Sequence, residues 1–215
     1  MSNEDNVYKI LEIIHLMFPN AHCELNYHNV YELTVAVMLS AQTTDKAVNL
    51  VTPKLFSLFP NPYAFSKADI KEIESIIRSI GLYKNKAKNL LEMSKLLIAK
   101  YDGQVPSNLS DLVSLPGVGI KTASVVLAEC FKVPSFPVDT HCKRVLTRLG
   151  IAKEKDTPIE VMEKAKKAFP KENWINLHHQ IIEHGRTICH ARNPLCKECP
   201  FSNICKSKEN AHQGC

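Results

Sequence analysis

The side chains best suited to chemistry are a lysine beside a glycine-rich turn and an aspartate eighteen residues further along. Lys121 follows the run Leu-Pro-Gly-Val-Gly at residues 115–119, and Asp139 follows Pro-Val at 137–138. A neutral amine can act as a nucleophile, and a carboxylate can stabilise positive charge that develops at the attacked carbon. The pair is therefore a candidate for covalent catalysis with electrostatic assistance.

The turn that precedes Lys121 must connect two helices. Pro116, Gly117 and Gly119 are unfavourable inside a helix, yet apolar residues at helical spacing continue on both sides of residues 115–119. The backbone N–H groups at the start of the second helix lack intrahelical partners and carry partial positive charge, which suits a phosphate. The pattern therefore predicts a phosphate-binding hairpin that holds an amine beside the bound strand.

A plainer interpretation of the same residues stays open. Gly-x-Gly turns between helices are common, and a lysine in a first helical turn is usually solvated. Asp139 or Thr140 also suits the N-cap of the helix predicted by the apolar residues that follow. Capping and catalysis are compatible, since a cap holds the carboxylate in place.

Four cysteines near the C-terminus have the spacing C-x6-C-x2-C-x5-C: Cys189, Cys196, Cys199 and Cys205. Four thiolates can complete the ligand set of either a zinc ion or an iron–sulfur cluster. A zinc ribbon usually offers two Cys-x2-Cys pairs and this run has one, so the spacing favours the cluster. A disulfide framework is the weaker alternative, because the other cysteines are scattered and the start of the chain does not resemble an export signal.

Composition agrees with a globular, mildly basic protein. Hydrophobic residues make up 45% of the 215 residues, and 27 Lys and Arg against 22 Asp and Glu give a net charge of +5. The charge is compatible with a nucleic-acid partner but does not require one. No apolar run approaches the length of about 20 residues that a membrane helix needs, so we expect no membrane partner and a cytoplasmic location.

Apolar residues recur at helical spacing along the whole chain, as in Val7, Ile10, Leu11, Ile14 and Phe18. Sustained alternation typical of strands is not found. The pattern predicts an all-α fold of about ten helices.

These motifs occur together in an order that resembles the endonuclease III family, the DNA glycosylases and abasic-site lyases of the helix-hairpin-helix superfamily. The resemblance is carried by the hairpin with Lys121, the Val-Asp-Thr-His segment at 138–141 and the cysteine loop. Further shared motifs are Ser-Ala-Gln-Thr-Thr-Asp at 40–45, Gly-Leu-Tyr at 81–83 and His-Gly-Arg at 184–186. The resemblance extends from about residue 10 to residue 206.

The resemblance implies two helical domains. Residues 23–132 would form a six-helix domain ending in the hairpin at about 107–131, and residues 1–22 with 133–215 would form an iron–sulfur domain, with a DNA-binding cleft between the two. It also implies one [4Fe-4S] cluster on the four cysteines and a monomeric bacterial enzyme that acts on damaged double-stranded DNA near the nucleoid.

The implied activity is base excision repair with two chemical steps. The enzyme removes an oxidised pyrimidine and then cleaves the abasic site by β-elimination through a Schiff base on Lys121, with Asp139 as its electrostatic partner. Gln42 and Leu82 would fill the gap left by the displaced base, and the remaining expected DNA contacts come from Gly117, Val118, Gly119, Thr122, Arg192 and a lysine cluster at Lys84, Lys86 and Lys88.

Two other functions stay open. An adenine mispair glycosylase shares the hairpin and the cluster, but it would not be expected to carry Lys121 and usually has a further C-terminal domain. A non-catalytic DNA-binding module with a structural zinc loop would not need the combination of Lys121 and Asp139.

Overall fold

The computed structural model describes residues 3–207, and the side chains from residue 6 onward. Every regular element within this range is helical, as the sequence predicts. The elements are α1 (Asn3–Met17), α2 (Val30–Ser40), α3 (Asp45–Leu58), α4 (Pro62–Ser66), α5 (Ile70–Ile76), α6 (Tyr83–Tyr101), α7 (Leu109–Ser114), α8 (Ile120–Phe131), α9 (Thr140–Arg148), α10 (Pro158–Ala168), a 3-10 turn (Lys171–Asn173) and α11 (Trp174–Thr187). None of the helices in the described range has both the length and the apolar character needed to cross a bilayer.

Backbone contacts divide the chain into two compact units. The first comprises Met1–Cys23 and Pro134–Cys215, and the second comprises Glu24–Val133. The second unit contains the seven helices α2–α8, one more than the six expected. The short helix α4 contributes to this count, since Asn61 caps it and Pro62 starts it within a segment too short to show helical periodicity.

The second unit is built around α2. Nine consecutive residues of this helix, 31–39, are buried, so the helix is covered on all sides. Helices α3, α6 and α8 contact it. Because α2 ends at Ser40, the turn that carries Gln42 begins where a fully buried helix stops.

The first unit has its own core, in which α1 packs against the C-terminal helices. Ile10 and Ile14 of α1 share a buried cluster with Val145 of α9, Ile181 of α11 and Phe201 of the cysteine loop. The loop is therefore anchored at Phe201, whose side chain is fully buried.

Side-chain caps determine where most helices begin. An Asn, Asp, Ser or Thr before the first turn accepts a hydrogen bond from a backbone N–H, which satisfies one of the donors that a helix start leaves open. Residues in this position are Asn29, Thr44, Asn61, Asp69, Asn108, Asp139 and Thr157. Helices α6 and α8 begin beside the predicted site residues Leu82 and Lys121 and have no side-chain cap, and α11 also lacks one.

Candidate active site and iron–sulfur loop

The hairpin turn lies where the sequence predicts it, between the end of α7 at Ser114 and the start of α8 at Ile120. Gly117 has a φ of +77°, in the left-handed region that favours glycine. A Cβ on Gly117 would lie 2.7 Å from the Met38 Cε atom and 2.8 Å from the Asn89 Cβ atom. Glycine is therefore required here both for the backbone conformation and for close packing of the turn on α2 and α6.

The N-terminus of α8 is open. Gly119 is its N-cap, offers no side-chain hydrogen bond, and has no atom within 4 Å of the position of an added Cβ. The first N–H groups of the helix therefore face an accessible region that favours an anion. Lys121 and Thr122 lie in this first turn, Lys121 exposed and Thr122 half-buried.

The position of Val118 does not agree with the expectation that this residue contacts DNA. Its side chain is 4% exposed, and its N–H donates to the carbonyl oxygen of Leu115 at 3.1 Å. Neither its side chain nor its N–H is available to a phosphate, so that prediction is wrong for these groups. Val118 closes the turn internally while its two glycine neighbours present the accessible surface.

Gln42 and Leu82 both occupy the left-handed backbone region, with φ values of 57° and 59°. Each such conformation costs a non-glycine residue about 1–3 kcal/mol and persists only where the surroundings impose it. Both side chains are exposed, and that of Leu82 is 57% exposed in spite of being apolar. The two turns are adjacent, since a Cβ on Gly81 would lie 3.7 Å from the Gln42 carbonyl oxygen.

The expected lysine cluster on α6 is only partly exposed. Lys84 and Lys88 are exposed, but Lys86 is 7% exposed and donates from Nζ to the Leu39 and Ala41 carbonyl oxygens. The expectation that Lys86 contacts phosphate is therefore wrong. Its charge is directed into the second unit, and the sequence pattern gave no sign of this.

Asp139 is the N-cap of α9. Its Oδ1 atom accepts a hydrogen bond of 2.7 Å from the N–H of Cys142, and its side chain is half-buried. Of the two capping candidates, Asp139 and not Thr140 fills this position. One carboxylate oxygen is thus held by the helix, which orients the carboxylate.

The cysteine loop is a succession of tight turns. The N–H of Cys199 donates to the Cys196 carbonyl oxygen at 3.4 Å, and the N–H of Cys205 donates to the Phe201 carbonyl oxygen at 2.8 Å. All four cysteines are half-buried and free of disulfides. The loop therefore gathers four thiols without cross-linking them.

The donor set fits an iron–sulfur cluster. Burial and the neighbouring thiols of Cys189, Cys205 and Cys196 raise the pKa of Cys199 to about 11, although a hydrogen bond from the Phe201 backbone lowers it in part. The four thiols are thus close enough to interact with one another, as the ligands of one cluster must be.

Two arginines of α9 organise the loop. Arg148 donates from its guanidinium to the Cys189 Sγ atom at 3.2 Å and to the His190 carbonyl oxygen at 2.7 Å. Arg144 donates to the carbonyl oxygens of Cys189 at 2.9 Å and Gly185 at 2.8 Å. The sequence analysis missed both residues, although their spacing of four places them on one face of α9.

His184 is buried and serves the packing of the loop. Its ring meets Phe201 edge-on with centroids 5.0 Å apart, and its Nε2 atom lies 3.9 Å from Cys199 Sγ. Burial, followed by the charge of Arg144, lowers the pKa of His184 to about 4. The side chain is therefore neutral at physiological pH. Arg192, by contrast, is exposed at the outer surface of the loop.

Two family models match this chain, one over the helical region that contains the hairpin and one over the cysteine loop. Residues 35–171 match the HhH-GPD superfamily of base excision DNA repair proteins. Residues 189–205, bounded by the first and last of the four cysteines, match the iron–sulfur binding domain of endonuclease III.

Individual relatives match over nearly the whole chain. Endonuclease III of Bacillus subtilis (strain 168) is 46% identical over 96% of this chain and 94% of its own length, and that of Escherichia coli (strain K12) is 41% identical over 89% and 90%. A solved trapped endonuclease III–DNA covalent intermediate superposes with a TM-score of 0.95 at 43% identity, covering 99% of this chain and 100% of the other. A thermostable thymine-DNA glycosylase, 23% identical with a TM-score of 0.86, shares the fold.

The fold, the hairpin and these matches define a base excision DNA repair protein of the HhH-GPD superfamily. Within that superfamily the chain belongs to the endonuclease III family. It is a DNA glycosylase and abasic-site lyase for oxidised pyrimidines with one [4Fe-4S] cluster. The alternatives that the sequence left open are thereby set aside, namely an adenine mispair glycosylase and a non-catalytic DNA-binding module with a zinc loop.

Proposed function

We propose that Lys121 is the nucleophile that displaces the damaged base, and that the Schiff base it forms then serves strand cleavage. The observation that carries this assignment is the exposed position of Lys121 in the first turn of α8, whose N-terminal N–H groups are uncapped and accessible. A phosphate bound at those groups places the amine beside the deoxyribose of the same strand. The trapped covalent complex solved for an endonuclease III supports a covalent course for this chain as well.

The reaction begins with attack of the Lys121 amine on the sugar C1′ atom as the bond from C1′ to the damaged base breaks. The base takes the bonding electrons and a proton and leaves, and the sugar ring opens to give a Schiff base between Nζ and C1′. This iminium group acidifies the C2′ hydrogen. Loss of that proton expels the 3′ phosphate by β-elimination, and water then hydrolyses the Schiff base and releases the lysine.

Asp139 acts on the charge that develops in the first step. Positive charge builds on the sugar as the base departs, and a fixed carboxylate lowers the energy of that transition state. The hydrogen bond from the Cys142 N–H holds one oxygen of Asp139, so the carboxylate is oriented before substrate arrives. Asp139 also takes part in proton transfer with Lys121.

Gln42 and Leu82 fill the space that the damaged nucleotide vacates. A base must leave the stack before its C1′ atom can be attacked, and the remaining gap in the duplex is unfavourable. Leu82 offers an exposed apolar side chain and Gln42 an exposed amide, on two adjacent turns. We assign Leu82 to stacking and Gln42 to the base left without a partner.

The DNA backbone binds at the hairpin and at the cysteine loop. Phosphate contacts come from the backbone of Gly117 and Gly119 and from the hydroxyl group of Thr122. Arg192 adds a positive charge on the cysteine loop. The cluster stabilises the fold of this loop and takes part in no chemical step. Its ligands are Cys189, Cys196, Cys199 and Cys205. We propose that the enzyme works as a monomer on duplex DNA in the bacterial cytoplasm, the compartment that holds the DNA of its bacterial relatives.

Borohydride trapping tests the central assignment. The protein should cross-link to DNA containing an abasic site when borohydride reduces the Schiff base, and the modified peptide should contain Lys121. Lys121→Gln should abolish the cross-link, whereas Lys132→Gln, an exposed position at the other end of α8, should leave it unchanged. Trapping at another lysine, or none in the unaltered protein, would remove Lys121 from the mechanism.

A further inference from the structure

Lys86 is a buried cation in the first turns of α6 with every donor engaged. Its Nζ atom donates to the carbonyl oxygens of Leu39 at 2.8 Å and Ala41 at 2.7 Å, and to the Thr43 Oγ1 atom at 3.3 Å. An ammonium group has three protons, so these partners account for all of them. The charge lies at the C-terminal end of α2, where the helix dipole favours a cation.

These contacts tie together the two turns that carry Gln42 and Leu82. Gln42 lies between Ala41 and Thr43, which supply two of the three acceptors. On the other side, the backbone N–H of Lys86 donates to the Leu82 carbonyl oxygen at 3.1 Å. A single residue is thus bonded to the turn of Leu82 through its backbone and to the turn of Gln42 through its side chain.

The conformation of both turns needs such support. Gln42 and Leu82 each have a positive φ, which non-glycine residues retain only when surrounding contacts impose it. Burial lowers the pKa of Lys86 below its ordinary value, so placing a charge here is costly compared with an apolar side chain. A buried methylene chain alone would fill the space, which suggests that the ammonium is present for its directional bonds.

We propose that Lys86 is a positioning residue that holds Gln42 and Leu82 in the spacing and orientation needed for both side chains to enter the DNA together. This inference rests on the gap-filling roles proposed above for those two residues. A merely structural role for Lys86, as a cap on the end of α2, would change the stability of the protein but not base displacement by the folded enzyme.

The experiment compares Lys86→Met with Lys95→Met. Lys95 lies on the same helix but is exposed, so it controls for loss of a lysine from α6. Single-turnover excision is measured with enzyme in saturating excess, and 2-aminopurine opposite a tetrahydrofuran abasic analogue reports unstacking of the unpaired base. For Lys86→Met we expect slower excision, approaching the loss of about a hundredfold that a displacement of about 1 Å can cause, and a weaker fluorescence rise. Lys95→Met should match the unaltered protein in both.

Combining Lys86→Met with substitutions of both gap-filling residues shows whether Lys86 acts through the two turns. In a protein that already carries Gln42→Ala and Leu82→Ala, adding Lys86→Met should slow excision no further, because the side chains it positions are gone. Independent, multiplying losses would overturn the proposal. If Gln42→Ala with Leu82→Ala has no effect by itself, the gap-filling assignment fails and this inference fails with it. If that pair slows excision and Lys86→Met does not, only the role of Lys86 is wrong.

Thr43→Val provides a second variant that retains the side-chain shape and removes only the acceptor for Lys86. It should slow excision and weaken the fluorescence rise in the same direction as Lys86→Met but to a smaller extent. This keeps the proposal testable even where Lys86→Met fails to fold. Unchanged excision and fluorescence in a folded Thr43→Val protein would count against the coupling of the Gln42 turn to Lys86.

Discussion

The carboxylate of Asp139 accepts a hydrogen bond of 2.7 Å from the backbone N–H of Cys142, so the proposed catalytic carboxylate is also the N-cap of α9. Asparagine caps helices as well as aspartate does, whereas alanine does not. Substitution can therefore separate the charge of Asp139 from its structural role.

We expect Asp139→Asn to fold with nearly unchanged thermal stability while excision falls by about a hundredfold to a thousandfold, as for loss of one electrostatic partner in a transition state. Binding to damaged duplex should persist. Asp139→Ala should show the same loss of excision together with about 1 kcal/mol less stability. Single-turnover excision and thermal unfolding give both quantities, and excision near the original rate in Asp139→Asn would leave the residue with capping alone.

The two glycines of the hairpin should respond differently to alanine. Gly117→Ala places a Cβ 2.7 Å from Met38 Cε at a φ of +77°, so we expect it to lower the stability of the protein as well as its DNA affinity. Gly119→Ala meets no atom within 4 Å, so stability should be nearly unchanged while the methyl group hinders phosphate approach and weakens binding. Thermal unfolding and duplex titration distinguish these outcomes, and normal DNA affinity in Gly119→Ala would argue against phosphate binding at α8.

We expect DNA binding by the cysteine loop to depend on the iron–sulfur cluster. Purified protein should be yellow-brown with about four irons per chain. Cys196→Ser should lose iron and weaken DNA binding, because the loop that presents Arg192 loses its fold. Arg192→Gln should keep the iron and reduce the slope of log affinity against log salt by about 1. If Cys196→Ser loses its iron but binds DNA with the original salt dependence, the cluster is not needed for DNA binding.

Asp156 should make the stability of the first unit depend on pH. A hydrogen bond from Lys164, followed by one from the backbone of Lys153, lowers the pKa of its carboxyl below the usual value. A lowered pKa in the folded state adds stability above the unfolded pKa of about 4, and this contribution disappears as the pH falls through the folded value. The Tm of Asp156→Asn should therefore lie below that of the original protein at pH 7, with a smaller difference at pH 3.5. A difference that does not shrink would exclude ionisation as its cause.

Local sequence signals predicted the framework of the site well. The interruption at Pro116 and Gly117 located the turn between α7 and α8 correctly, because these residue types restrict the backbone regardless of their surroundings. A helix cap at Asp139 or Thr140 was also predicted from residue type, and the structure places it at Asp139. The assignments of Lys121 and Asp139 to catalysis stay predictions that the experiments above test.

The sequence by itself determined the class of protein, since the short motifs that contain Lys121, Asp139 and the four cysteines occur in an order that is specific to the family. Only the tertiary structure decided that Lys86 points inward, that Val118 closes the turn internally and that Arg144 and Arg148 hold the cysteine loop. A charged residue on a helix is usually solvated, and its sequence neighbours do not reveal otherwise. The acceptors of Lys86 lie more than forty positions earlier in the chain, so its role depends on packing between helices and not on any local pattern.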